Sequence, residues 1–123
     1  MDIHATATRE ALDAHVERFN ACVRDGSFEA LAASFVPDGV MRFEGVPVGP
    51  FHGRVAIGHA YREQPPDDTL TLVGPVHHDG TWSRAGYAWN RQPSVRAGEM
   101  RIRATDEGIA ELVVTFDSQG GPA

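Results

Sequence analysis

Six histidines, one cysteine and no lysine set the range of chemistry open to this chain. Without Lys, Schiff-base catalysis and a phosphate-loop lysine are excluded. Cys22 falls on the apolar face of a predicted helix, where a thiol serves as a small buried hydrophobe. His77 and His78 are adjacent in an extended segment, so their rings point to opposite faces and cannot easily share one ion. His52 and His59 stand seven apart, off the i, i+4 spacing of a helical zinc pair, and no H-x-H occurs. A metal site is therefore not expected. Neither G-x-G-x-x-G, G-x-S-x-G nor C-x-x-C is present, and no cofactor is expected. His15 shares a helix stripe with Leu12, Val16, Phe19, Cys22 and Val23 and could serve there as donor or base, or stand as a satisfied histidine at the core rim. Tyr87 and Trp89 share a strand face. They either line a pocket for a planar or apolar ligand, each offering one polar tip, or pack in the core. Tyr61 on a later helix carries the same alternatives. His52 lies in a glycine-rich bend, at a pocket mouth or on plain surface.

The elements that must position these residues can be read from the punctuation. A helix is predicted from about Thr8, as N-cap, to Arg24, stopped by Asp25-Gly26. Ser27 would cap a short second helix with Leu31 and Phe35 inward, ended by Pro37. Asp38-Gly39 would turn the chain into a strand, Val40 to Glu44. Three glycines and two prolines make residues 45–53 a bend. A third helix runs from about Arg54 to Glu63, with Ile57, Ala60 and Tyr61 on one side, before Pro65-Pro66. Four strand-like segments follow: Thr69 to Val73, Thr81 to Asn90, Val95 to Thr105 and Ile109 to Phe116. Short connections make them an antiparallel meander. Met100, Ile102 and Ala104 alternate with Arg101 and Arg103, so one face is buried and one wet. The tail from Asp117 to Ala123 is expected to fray. Helices first and sheet afterwards give an α+β fold, with the helices on one face of a bent sheet.

At 123 residues there is room for one domain, 1–123, with one core. The formal net charge is −6, and the 11 Arg are scattered singly, which argues against nucleic acid. No apolar run approaches the ~18–20 residues of a membrane helix. The polar, acidic start, MDIHATATREALDAH, does not read as a signal peptide. A cytoplasmic location and no membrane partner are expected.

The Asp25-Gly26-Ser27-Phe28 turn, Leu31 to Phe35, Pro37-Asp38-Gly39-Val40 and Gly49-Pro50-Phe51-His52-Gly53-Arg54 leading to Ile57 and Tyr61 resemble the ketosteroid-isomerase and SnoaL-like superfamily. Its fold is the nuclear transport factor 2-like cone, whose three helices close over a strongly bent, mainly antiparallel sheet and leave an apolar pocket. The resemblance spans about residues 8–116. It implies a small hydrophobic ligand (polyketide-, terpenoid- or steroid-like) and a homodimer through the sheet. For function it implies a cofactor-independent acid–base enzyme of isomerase, cyclase or hydrolase type, or a non-catalytic binder or scaffold of the same fold. Ketosteroid isomerases use an Asp base, with an oxyanion hole of Tyr and a protonated Asp. Here the tyrosine's place is taken by Phe19, which cannot donate a hydrogen bond, and the protonated aspartate's by Met100, with Glu99 beside it pointing out. The base falls on Phe43 or Glu44, depending on which end of the bend is counted from. A bulge near Arg42–Glu44 would turn Glu44 inward as a carboxylate of raised pKa, whereas a regular strand leaves it in solvent. The residues implied are thus Glu44 and His15 for proton transfer, with Phe19, Phe43, Tyr61, Tyr87, Trp89, Met100 and His52 around the ligand.

Overall fold

The computed structural model describes residues 3–117, with side chains from Ala11 onward. Three helices and six strands follow in the order α1 (Ile3–Asp25), α2 (Glu29–Ala33), β1 (Phe35–Glu44), β2 (Phe51–His52), α3 (Arg54–Glu63), β3 (Leu70–Asp79), β4 (Trp82–Trp89), β5 (Gly98–Thr105) and β6 (Gly108–Thr115). The expected tail beyond Asp117 lies outside the described residues.

Helix α1 begins before Thr8, so Thr8 sits within the helix and is not its cap. Its buried stripe of Leu12, His15, Val16, Phe19 and Cys22 is the one the spacing predicts. Gly26, at φ 74°, returns its N–H to the Cys22 carbonyl at 2.8 Å and ends the helix. Helix α2 differs from expectation at both ends. Phe28 holds the cap position and no side chain caps it. The helix stops at Ala33, well short of Pro37, because Phe35 already pairs with Ile109 as the first residue of β1. Pro37 and Asp38 are exposed where the β1–β6 register slips between Phe35 and Val40. A missing N–H is tolerated at such an irregularity.

The sheet is mixed and strongly curved, ordered β2-β1-β6-β5-β4-β3. Strands β3 to β6 form the antiparallel meander, and β1 lies parallel to β6. Strand β3 runs six residues beyond the predicted Val73, by way of an irregularity between Val73 and His77 that includes Gly74 at φ 76°. The helices cover one face, α1 across β3, β4 and β5 and α3 against β1 and β2. Two polar clamps fix them. The Asn20 side chain donates to the Leu70 carbonyl at 2.8 Å and accepts from the Leu70 N–H at 2.9 Å, seating α1 on the start of β3. The Arg54 guanidinium donates twice to the Phe35 carbonyl, at 3.0 and 2.7 Å, tying α3 to the start of β1. Among the described residues no helix is long and apolar enough to cross a membrane.

Candidate functional site

Between helices and sheet lies a cavity of about 610 Å³. Its floor and walls are Phe19, Met41, Phe43, Trp89, Met100, Leu112 and Val114. These side chains belong to α1 and to alternate positions of β1, β4, β5 and β6, because the period of two sends every second residue to the concave face. The lining residues that are exposed mark the mouth: Val46 and Val48 in the β1–β2 bend, Glu63 and Gln64 at the end of α3, and Phe116.

A titratable imidazole is sealed into this apolar lining. His15 is 1% exposed, and its Nδ1 has no hydrogen-bond partner. Burial pushes its pKa down to about 4, with the nearby Arg18 charge adding to the effect, so the ring is neutral at pH 7. Tyr61 also reaches the cavity, stacked on Phe28 at 5.3 Å, and burial pushes its phenol pKa up. It stays a phenol, able to donate. A neutral imidazole with a free nitrogen and a phenol in an apolar space can grip a polar atom of a small molecule.

The regular phase of β1 decides Glu44. From Val40 to Glu44 the pairing with β6 runs without a break, and the irregularity lies earlier, between Phe35 and Val40. Met41 and Phe43 therefore face the cavity, whereas Arg42 and Glu44 face the opposite side. The Glu44 side chain is 56% exposed and pairs with Arg101 at 3.1 Å. The inward Glu44 expected from a bulge near Arg42–Glu44 is thus corrected. It joins an ionic ladder on the outer sheet face, where Glu99 pairs with Arg84 and Arg101, and Glu111 with Arg42 and Arg103.

Two further expectations change. Tyr87 is buried beneath Trp89 in an edge-on contact at 5.9 Å and donates to the Thr115 carbonyl at 3.2 Å, so it is core and does not line the cavity. His52 is exposed on β2, outside the lining, because its neighbour Phe51 takes the inward position. Phe19, Phe43, Tyr61, Trp89 and Met100 do come together around the space, with His15. Sequence reasoning missed Met41, Phe51, Phe116 and the mouth residues. Met41 was legible from strand parity with Phe43. Glu63 and Gln64 carried no signal, since only the tertiary packing of α3 brings its end to the mouth. Cys22 is free and buried, as its helix position implied. Among the described residues no group of three His, Cys, Asp or Glu is placed to hold a metal ion.

The class of architecture is an open α+β cone around an apolar cavity. In the particular, the chain has the nuclear transport factor 2-like fold, shared with ketosteroid isomerase-like and SnoaL-like proteins. No family profile matches the sequence, and no curated protein matches it. Solved structures do. A Bacillus subtilis protein provisionally described as an isomerase superposes with TM-score 0.67 at 14% identity, over 95% of this chain and 90% of its own. A nuclear transport factor 2-like protein of unknown function from Burkholderia xenovorans gives 0.62 at 11% identity, over 89% and 85%. A Catenulispora acidiphila protein with a ketosteroid isomerase-like fold, solved with trimethylamine, gives 0.62 at 14% identity, over 81% and 82%. At these identities the likeness concerns the fold.

Proposed function

We propose that this protein holds a small, largely apolar molecule in the cavity and grips one polar atom of it through His15. The observation that carries this is the unpartnered Nδ1 of a buried, neutral imidazole among cavity residues that are mostly apolar. An orphaned buried polar atom costs about 1–3 kcal/mol. A ligand atom bonded to it removes that cost on binding. Some solved neighbours carry isomerase or polyketide-cyclase descriptions, which fits a pocket for ring-shaped molecules.

Acid–base catalysis is the second reading, and one of its two expected residues supports it. His15 faces the cavity in the basic form, but its depressed pKa makes it a weak base at neutral pH. Glu44 cannot assist from the outer face. Calorimetric titration with neutral cyclic ketones and alcohols tests the binding reading. Some should bind the wild type, His15→Leu should weaken them about tenfold, and Met100→Trp, which narrows the cavity, should weaken the bulkiest of them most. A wild type that binds none of them, or a His15→Leu variant of equal affinity, would sink it. Turnover of ketosteroids, epoxides or cyclisable polyketides that is lost in His15→Ala and kept in Glu44→Gln would favour the catalytic reading.

A further inference from the structure

The cavity is asymmetric in charge. Among the described residues no arginine lines it, whereas the acidic Glu63 stands at its mouth. Glu63 is the last residue of α3, so the negative end of that helix dipole lies at the same place. The one basic residue of that last turn, Arg62, lines a different groove, with Gly26, Glu29 and Pro65. The lining also holds three packed rings: Phe43 sits edge-on to Phe51 at 6.2 Å and stacked with Phe116 at 6.3 Å. Aromatic faces attract cations, and an acidic residue lining the same cavity adds to that attraction. An anionic ligand would meet Glu63 with no arginine among the lining residues to offset it.

Building on the pocket reading proposed above, we infer that the cavity selects an apolar molecule carrying a protonated amine, its ammonium at the mouth beside Glu63 and the Phe43–Phe51–Phe116 rings and its apolar body inside. The deep end, at His15, meets an uncharged part of the molecule. Glu63 is then the residue that sets specificity by charge.

Three probes of nearly equal shape test this by calorimetry at low salt: 4-phenylbutylamine, 4-phenylbutan-1-ol and 4-phenylbutanoate. The amine should bind at least fivefold tighter than the alcohol, and the acid weakest. Glu63→Gln should cost the amine about fivefold while leaving the alcohol within twofold. Alcohol binding with no gain for the amine, or a gain that survives Glu63→Gln, overturns this inference and leaves the pocket reading standing. If none of the three binds and the cyclic ketones and alcohols fail as well, both are overturned.

Discussion

His15 should make the protein acid-sensitive in a defined window. Its folded-state pKa is about 4, against 6.5 for an exposed imidazole. Between those values the unfolded chain binds a proton that the folded chain refuses, so acid favours unfolding. The contribution is present in full above pH 6.5, falls away as the pH drops towards 4, and is flat below. A shift of this size amounts to about 3 kcal/mol in total, of which about 2 kcal/mol is lost by pH 5. That is a large share of a small domain's stability. The control is His15→Leu, which keeps an apolar group of similar bulk and has nothing to titrate. Urea unfolding of both proteins from pH 7 to pH 4.5 should show the wild type losing about 2 kcal/mol more than the variant by pH 5. The difference cancels whatever is common to the two proteins. At pH 7 the variant should be at least as stable as the wild type, because the orphaned Nδ1 is gone. Parallel loss in the two proteins, or a His15 ring that titrates near 6.5 by NMR, would refute the reasoning.

Two other substitutions test the scaffold. A Cβ at Gly98 would overlap the Thr115 carbonyl oxygen, which belongs to backbone and cannot move aside, so Gly98→Ala should cost upwards of about 3 kcal/mol or prevent folding. Circular dichroism against temperature would show it, and a melting curve like that of the wild type would contradict it. Asn20→Leu removes both side-chain bonds to the Leu70 backbone and leaves its N–H and carbonyl without those partners, so a loss of about 2 kcal/mol is expected by denaturant titration. A midpoint unchanged from the wild type would show that the α1–β3 clamp does not contribute.

The helix faces were legible because helical periodicity is local. Leu12 to Val23 on α1, and Ile57, Ala60 and Tyr61 on α3, announce their inward sides by spacing alone. Helix α3 runs over the predicted residues because Gly53 and Pro65-Pro66 bound it. The ends of α2 and β3 were not legible. Phe35 leaves the helix to pair with Ile109, a partner more than seventy residues away, and β3 continues past Gly74-Pro75 because β4 lies beside it. Those are pairing energies, which no local pattern carries.

The sequence by itself determined the order of elements apart from the short β2, the α+β class, the apolar stripe that includes His15 and the alternation that puts Met100 inside. It also determined that Phe19 cannot serve as a hydrogen-bond donor. Only the tertiary structure decided which way Glu44 points, since a one-residue slip reverses every side chain of a strand and the slip here lies before Val40. It likewise decided that Tyr87 gives its hydroxyl to Thr115 and that Glu63 stands at the mouth. Both depend on contacts between segments far apart in the chain, and such contacts exist only once the helices have closed over the sheet.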